Sequence, residues 1–344
     1  MKYSVNLSLL ALVTFVFNMF YMAAANAATP IPAPPQVAAK NYILVDFNSG
    51  RLLAEKDADE QVEPASITKL MTGYVIYREL DSGRMSLDDM VTISEKAWRM
   101  GGSRMYVEVG KQVSVRELLK GMVIQSGNDA TVALAEHIAG TEDAFVQLMN
   151  EYAAQLGMTN TMFLNSTGWP AEGHLTTARD ISKLAIAVIA EFPEYYSWYK
   201  EKVYTYNNIK QYNRNKLLWR DNSVDGMKTG HTESAGYCLV SSALRSDMRL
   251  VAVVLGTDSE KARASVSQSL LSYGFRFFET HRLYAAGEVL NRSRVWKGDT
   301  ENVSLGLLDD LYVTIPRGSY KSLEAVMDVD TNIQAPLEKG SQHG

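Results

Sequence analysis

The sequence predicts a mixed α/β domain followed by a small all-β domain. Residues 40–55 alternate apolar and polar side chains around a turn at residues 48–50, which is typical of a β-hairpin. Helical runs with capping residues and strand-like runs share the stretch between residues 66 and 279. After about residue 280 the chain consists of short β-rich runs bounded by Gly, Asp, Asn or Pro, a pattern that indicates strands without helices.

The predicted elements follow in chain order. Helices are expected over residues 66–80, 114–124, 130–138, 142–156, 177–189 and 262–279. Strands are expected, after the hairpin, over residues 91–93, 224–230, 236–244, 248–256, 287–290, 293–296, 303–305 and 311–315. Residues 96–103 are expected to form a loop or irregular lid, and residues 160–177 a long loop. Residues 204–219 are aromatic and amide-rich and carry no assignment.

Composition narrows the possible functions. The chain has 344 residues, of which 46% are hydrophobic and 21% charged, enough for one large globular domain and a smaller one. The net charge of −5 and the absence of a dense run of Lys and Arg argue against a nucleic-acid partner. The single cysteine, Cys238, excludes an internal disulfide, and no two of the five histidines have helical metal-ligand spacing. We therefore expect no metal and no other cofactor.

The amino terminus is expected to be a secretory signal over residues 1–27. Lys2 supplies a positive charge, residues 7–25 are mostly apolar without a charge, and residues 25–27 read Ala-Asn-Ala, a small-x-small cleavage site. A membrane anchor that stays attached is the alternative. A Pro-containing linker over residues 28–39 follows directly, so the mature protein is expected to start near residue 28, outside the cytoplasm.

A possible nucleophile lies at the start of the first helix. Ser66 and Lys69 are three residues apart, so they share one helix face. A serine hydroxyl needs a nearby base, and a lysine amine can be that base when desolvation or a second cation lowers its pKa. The alternative is a capping serine and a solvated lysine. A second match, Ser197 and Lys200, shows that this spacing also arises by chance.

Two further motifs favour the catalytic interpretation. Ser126-Gly127-Asn128 lies on a predicted break between helices, and Lys228-Thr229-Gly230 lies on a predicted strand. Active-site serine enzymes that recognise penicillin carry Ser-x-x-Lys, Ser-Asp-Asn and Lys-Thr-Gly in this order. Alone, the second motif is most often a turn and the third an exposed strand end. The occurrence of all three motifs in the family order, each on the predicted element that its role requires, is hard to explain by chance.

Each position suits one chemical task. Ser66 would attack a carbonyl and become an ester, and Lys69 would take its proton. Ser126 could relay a proton to the leaving amine, and Asn128 could bind both Lys69 and the substrate amide. Lys228 would be a fixed cation that keeps Lys69 partly deprotonated and attracts an anionic substrate.

The remaining groups on the third motif would bind substrate. Thr229 offers a hydroxyl to a carboxylate, and Gly230 lets a substrate strand approach the backbone closely. The backbone N–H groups of Ser66 and of a residue near His231 would form the oxyanion hole.

With these residues in place, the sequence resembles the low-molecular-mass penicillin-binding proteins that are D-alanyl-D-alanine carboxypeptidases. The likeness covers roughly residues 40–340 and includes the segments 64–69, 125–130, 224–231, 236–237 and 273–279. It implies a transpeptidase-like α/β domain over residues 40–279, with an antiparallel sheet between helix layers as in β-lactamases, and an all-β domain over residues 280–344. It also implies removal of the terminal D-alanine from peptidoglycan stem pentapeptides in the periplasm, and covalent trapping by β-lactam antibiotics.

The resemblance carries over residue by residue. The family's functional positions match Ser66, Lys69, Ser126, Asn128, Lys228, Thr229, Gly230 and His231. Arg263 matches the family's arginine that faces the substrate carboxylate, and a solvated helix residue is the alternative.

Two departures from the family follow. The segment 98–106 is shorter than in relatives. The second domain is expected to be incomplete, because residues 341–344 are no natural terminus for a sheet. The family's carboxy-terminal amphipathic helix is also missing, which indicates an engineered truncation or a soluble variant. Attachment to the inner-membrane surface is therefore an expectation for the natural full-length protein only.

Three other activities use the same residues. A class A β-lactamase needs a loop glutamate that activates water, but residues 160–215 hold no Glu-x-x-x-Asn pattern, and Glu172 is followed by Gly-His-Leu. A DD-endopeptidase would cut a D-alanyl crosslink with the same serine. A catalytically weak protein that binds the cell wall and supports cell shape would keep the motifs without the rate.

Overall fold

The structure, a computed structural model, describes residues 31–330 and 332–342. The predicted signal segment 1–27 and the first residues of the linker lie outside the described residues. The rest of the linker, residues 31–39, is extended and packs on the first domain, where the Tyr273 hydroxyl donates to the carbonyl of Pro32 at 3.0 Å.

The described helices and strands follow the predicted order closely. The α-helices are α1 (Lys69–Asp81), α2 (Glu95–Arg99), α3 (Val115–Lys120), α4 (Asn128–Ala139), α5 (Glu142–Gln155), α6 (Ala178–Glu191), α7 (Pro193–Tyr196) and α8 (Glu260–Phe277). The strands of the first domain are β1 (Asn41–Asp46), β2 (Leu52–Lys56), β3 (Met90–Thr92), β4 (Gln112–Ser114), β5 (Val203–Tyr206), β6 (Ile209–Tyr212), β7 (Val224–Thr232), β8 (Gly236–Arg245) and β9 (Met248–Thr257). The strands that follow are β10 (Phe278–Tyr284), β11 (Asn291–Trp296), β12 (Asn302–Leu305), β13 (Leu311–Pro316) and β14 (Ile333–Gln334).

A five-stranded antiparallel sheet forms the centre of the first domain, in the order β2-β1-β9-β8-β7. Alternate residues of its central strands enter two separate cores. Val251 and Val253 pack with α1 and α6 on one face, whereas Leu250 and Ala252 pack with α8 on the other. Burial on both faces confirms the predicted antiparallel sheet between helix layers.

Local details differ from the sequence-based expectations at three places. Residues 96–103 include the short helix α2, whose amino terminus is capped by Ser94 at 3.0 Å, before the chain enters a loop. The predicted helix over residues 114–124 is α3 followed by a π-helical turn at Gly121–Gln125. Residues 204–219, which carried no assignment, form the hairpin β5–β6 and a 3₁₀ turn at Lys216–Trp219.

The second domain consists mainly of strands, as predicted. β10 pairs with β13, and β11 pairs with β12 and β14. β10 begins at Phe278, directly after α8, so residues 278–279 belong to a strand and not to the end of the predicted helix. The strand predicted over residues 287–290 does not form. Thr280 donates to the carboxylate of Asp46 at 2.7 Å, which ties this domain to the central sheet. Among the described residues, no helix combines the length and the apolar character needed to cross a membrane.

Candidate active site

Ser66 lies in a tight turn at the mouth of a cavity of about 620 Å³. The turn is a 3₁₀ helix, Ala65–Thr68, that continues into α1, and Ala65 has a left-handed φ of 47°. Seven of the nine predicted site residues line this cavity: Ser66, Ser126, Asn128, Thr229, Gly230, His231 and Arg263. The other two, Lys69 and Lys228, lie beneath them with 1% and 3% of their surface exposed.

The amine of Lys69 has three polar neighbours. Its Nζ lies 3.0 Å from Ser66 Oγ, 2.7 Å from Asn128 Oδ1 and 2.8 Å from the carbonyl oxygen of Thr167. The amide oxygen of Asn128 and the carbonyl oxygen of Thr167 can only accept hydrogen bonds. A neutral amine has two N–H groups, which these two acceptors use. The lone pair is then left for the hydroxyl of Ser66, which is the arrangement that a general base requires.

The surroundings of Lys69 favour its neutral form. Burial and, to a smaller extent, the positive charge of Arg214 together lower the pKa of Lys69 from 10.5 to about 7, although Asp129 opposes the shift. Of the two causes considered from the sequence, desolvation and a second cation, desolvation is the larger, and Arg214 is a cation that contributes. Arg214 was not singled out in the sequence, where it belongs to the stretch without an assignment.

Ser126 and Lys228 form a second hydrogen-bonded pair. Lys228 Nζ donates to Ser126 Oγ at 2.8 Å and to the carbonyl of Thr229 at 3.0 Å. Burial and the charges of Lys69 and Arg214, among others, hold the pKa of Lys228 well below its usual range. Ser126 has a left-handed φ of 67° at the end of the π-helical turn, which directs its side chain towards the strand. The contact of Lys69 with Asn128 therefore joins the first motif to the second, and the contact of Lys228 with Ser126 joins the second to the third.

The loop that carries Asn128 is held by the residue after it. Asp129 is buried, and its carboxylate accepts backbone N–H groups from Met105 at 2.8 Å, Tyr106 at 2.8 Å and Val107 at 3.2 Å. Asn128 itself donates to the carbonyl of Gly101 at 2.8 Å while its oxygen binds Lys69. The side chain of Asn128 is thus fixed from both ends before any substrate binds.

The third motif packs directly against the serine turn. A Cβ atom on Gly230 would lie 3.1 Å from the carbonyl oxygen of Pro64 and 3.2 Å from the Cβ of Ala65. Gly230 therefore permits the close approach of the serine turn, and the expected approach of a substrate strand to the same backbone stays a prediction. Thr229 lines the cavity with 5% of its surface exposed.

His231 and Arg263 lie at opposite depths of the cavity. The imidazole of His231 is exposed and stacks on Tyr237, with 3.9 Å between ring centroids. Arg263 is only 3% exposed and donates to the carbonyl of Gly230 at 3.1 Å. The alternative that Arg263 is a solvated helix residue is therefore wrong.

The long loop contributes groups that the sequence did not indicate. Gly168 has a φ of 81°, and a Cβ on it would lie 1.7 Å from the carbonyl oxygen of Ala65, so this loop rests on the serine turn. His174 is 2% exposed, and its Nε2 lies 3.0 Å from Thr68 Oγ1. Because Asn165 Nδ2 lies 3.3 Å from the other ring nitrogen, Nε2 carries the hydrogen and donates to Thr68. Burial lowers the pKa of His174 to about 4, so the ring is neutral near pH 7.

The chance matches in the sequence do not take part. Lys200 is exposed, and the hydroxyl of Ser197 donates to the carbonyl of Glu194 at 2.6 Å. Glu172, considered as a possible water-activating residue, is exposed and is not among the residues that line the cavity. In the described part of the chain, no three His, Cys, Asp or Glu side chains are grouped as a metal site.

Comparison with known proteins agrees with this geometry. Residues 27–259 match the family described as D-alanyl-D-alanine carboxypeptidase. The chain belongs to this family. Residues 278–344 match the carboxy-terminal domain of penicillin-binding protein 5. The D-alanyl-D-alanine carboxypeptidase DacA of Escherichia coli K12 is 46% identical over an alignment that covers 97% of this chain and 86% of the relative.

Solved structures of family members agree as well. Penicillin-binding protein 5 from Haemophilus influenzae is 45% identical with a TM-score of 0.86, over 90% of this chain and 92% of that one. Penicillin-binding protein D2 from Listeria monocytogenes, in an ampicillin-bound form, is 28% identical with a TM-score of 0.66, over 71% of this chain and 100% of that one. The family member described here is accordingly a serine-type D-alanyl-D-alanine carboxypeptidase, a hydrolase.

Proposed function

We propose that this carboxypeptidase removes the terminal D-alanine from peptidoglycan stem pentapeptides, with Ser66 as nucleophile and Lys69 as its base. The observation that carries the assignment is the set of contacts around Lys69 Nζ, which leaves its lone pair for the hydroxyl of Ser66. β-Lactam antibiotics would acylate the same oxygen, because their strained amide presents a carbonyl in place of the penultimate D-alanine.

The reaction proceeds in two halves. Lys69 takes the proton of Ser66 as Oγ attacks the penultimate D-alanine carbonyl, and the N–H groups of Ser66 and of a residue near His231 stabilise the oxyanion. The C–N bond breaks as the proton held by Lys69 is relayed through the hydroxyl of Ser126, itself hydrogen-bonded to Lys228, to the departing D-alanine nitrogen, which returns Lys69 to its neutral form. Water then attacks the ester, with its proton taken by the same base, and frees the shortened peptide and Ser66.

The free carboxylate of the terminal D-alanine is the feature that distinguishes this substrate from an internal peptide. Two guanidinium groups, those of Arg214 and Arg263, line the cavity, together with the hydroxyl of Thr229. Guanidinium groups bind carboxylates strongly through charge-assisted hydrogen bonds. This favours a carboxypeptidase over a DD-endopeptidase, whose leaving group carries a further chain.

Mass spectrometry with a matched pair of serine variants tests the proposal. After incubation with benzylpenicillin, wild type and Ser197→Ala should each gain one adduct on Ser66, whereas Ser66→Ala should gain none. Release of D-alanine from a pentapeptide should fall at least about 10³-fold in Ser66→Ala and stay unchanged in Ser197→Ala. An adduct on any other residue would refute the assignment.

The same samples separate the remaining activities. Wild type should stay acylated for many minutes, and sustained turnover of penicillin would instead identify a β-lactamase. Preferential cleavage of a crosslinked dimer over a pentapeptide would identify an endopeptidase. No release of D-alanine from either substrate would leave a wall-binding protein with weak catalysis.

We further propose that the protein works in the periplasm, with residues 1–27 as a cleaved signal, 28–39 as a linker, 40–279 as the peptidase domain and 280–344 as the second domain. The charge and apolar pattern of the amino terminus support export. Cell fractionation and sequencing of the mature amino terminus test this, and a cytoplasmic protein that starts at Met1 would contradict it. Contact with the inner-membrane surface is part of the same proposal.

A further inference from the structure

A groove leads away from the active-site cavity on the side of Arg214. A cavity of about 550 Å³ is lined by Tyr212, Lys216, Trp219, Arg220, Glu260 and Lys261, and we call it the Trp219 groove. A smaller cavity of about 370 Å³ lies between the Trp219 groove and the active-site cavity. It shares Tyr212 and Lys216 with the groove and Arg214 with the active-site cavity. Glu260 lines all three cavities. The three cavities are therefore neighbours along one side of the molecule, and the first of them contains Ser66.

Two aromatic rings are displayed in this groove by a well-fixed turn. Tyr212 is 54% exposed and Trp219 is 45% exposed. Between them Leu217 and Leu218 are buried, and Asn215 caps the 3₁₀ turn by accepting from the N–H of Leu217. A rigid turn that holds large rings in contact with water offers stacking surfaces, and sugar rings and peptide groups pack well on such surfaces.

The groove and its rim also concentrate positive charge. The ammonium of Lys210 lies 5.5 Å from the ring of Tyr212, and that of Lys202 lies 6.0 Å from the ring of Trp219. Among the nearby acidic residues, Glu201 pairs with Lys120 and Asp221 with Arg245, and Glu260, which lines the groove, pairs with Arg263 at 3.5 Å. Among the described residues, six cations of this region form no ion pair: Lys202, Lys210, Arg214, Lys216, Arg220 and Lys261.

This local charge contrasts with the chain as a whole, whose net charge is −5. Unpaired cations grouped in a concave site raise the local concentration of an anionic ligand. Aromatic and basic side chains together are also typical of a membrane-facing surface. A membrane, however, needs a protruding patch, whereas these rings and charges line a depression beside the catalytic cavity.

We propose that the Trp219 groove binds a second portion of polymeric peptidoglycan, a sugar with its carboxylate-bearing stem peptide, while another stem occupies the active site. The sugar would pack on Trp219 and Tyr212, and the carboxylates would pair with Lys216 and Arg220. The proposal rests on the proposed function, because the polymer is the natural form of that substrate. The groove would then favour polymeric over soluble substrate without touching the reacting atoms.

Two groove variants and two controls test this on the full chain. The groove variants are Tyr212→Ala with Trp219→Ala, and Lys216→Glu with Arg220→Glu. The controls are Trp296→Ala, which removes a tryptophan of 43% exposure, and Lys111→Glu with Lys321→Glu, which reverses two exposed charges elsewhere. Release of D-alanine is measured from a soluble pentapeptide and from purified sacculi, in about 0.15 M salt, where charges more than about 8 Å away are largely screened.

Both groove variants should raise the half-saturating amount of sacculi at least about fivefold and change kcat/KM for the soluble pentapeptide less than about twofold. The controls should match wild type on both substrates. Equal values for groove variants and wild type on sacculi would overturn the proposal. A similar loss on both substrates would also overturn it, because the groove would then be part of the catalytic site.

A binding measurement distinguishes failure of the groove from failure of the proposed function. Each protein is first acylated with benzylpenicillin, which blocks Ser66, and its cosedimentation is measured with sacculi and with vesicles of phosphatidylglycerol. Weaker binding to sacculi in the groove variants supports the groove even if wild type releases no D-alanine. Loss confined to the vesicles would identify a membrane surface and overturn the proposal.

Discussion

Removing the charge of Arg214 should move the pH at which Ser66 becomes reactive. Only neutral Lys69 can take the serine proton, and a pKa of about 7 leaves about half of the molecules ready at pH 7 and about one in eleven at pH 6. Arg214→Gln removes the cation that helps to lower this pKa, so the pKa should rise. A rise of about one unit would leave about one molecule in eleven ready at pH 7, about a fivefold slower acylation.

Stopped-flow acylation by a fluorescent penicillin between pH 5.5 and 9.5 measures this directly. The wild-type rate should rise about tenfold per pH unit below its midpoint and level off above it. Arg214→Gln should have a higher midpoint and, because Arg214 also lines the carboxylate-binding part of the cavity, a lower plateau, whereas the control Arg220→Gln should keep the wild-type midpoint and plateau. A midpoint near 10 in the wild type, or the same midpoint in all three proteins, would refute the account of Lys69 as a desolvated base.

Three further results are expected. Burial lowers the pKa of His174 from 6.5 to about 4, so the unfolded chain binds more protons than the folded chain between these pH values. About 3 kcal/mol of stability should therefore be lost as the pH falls from 6.5 to 4. Urea unfolding should show this loss in wild type and not in His174→Gln. Gly168→Ala should greatly slow acylation, because its Cβ would overlap the carbonyl of Ala65, whereas Gly83→Ala, at a similar φ but with open space around it, should cost about 1 kcal/mol of stability and leave acylation unchanged. Asp129→Asn should lower the free energy of unfolding by about 2–3 kcal/mol, because a buried amide accepts fewer of the N–H groups that the carboxylate holds; equal midpoints in chemical denaturation would contradict this.

The parts of the site that could be predicted are those set by local spacing. Ser66 and Lys69 lie one helical turn apart, so their proximity follows from the chain itself. The strand that carries Lys228 could be placed because it leads into two further strand-like runs, residues 236–244 and 248–256, with a tight turn between them. The hairpin β5–β6 was missed although a signal existed, since Asn207 and Asn208 adopt left-handed φ values of 47° and 58° in a two-residue turn that such residues favour.

The rest depended on contacts that leave no side-chain pattern. The acceptor on Thr167 is a backbone carbonyl, which every residue has, and it lies 98 positions from Lys69 in the chain. The role of Gly168 arises from the approach of a loop to Ala65, and the charge of Arg214 acts through space. Such groups become visible only when the fold fixes where distant segments meet.

The two carbonyl-type oxygens beside Lys69 restrict where a captured proton can go. Neither Asn128 Oδ1 nor the carbonyl of Thr167 is basic enough to accept it, and burial keeps bulk water away from the ammonium. The proton can therefore leave only on the cavity side, by the relay through Ser126 to the departing nitrogen. An antibiotic whose bound form keeps its nitrogen away from Ser126 would leave Lys69 charged and unable to activate water, and the ester would persist for as long as that arrangement lasts.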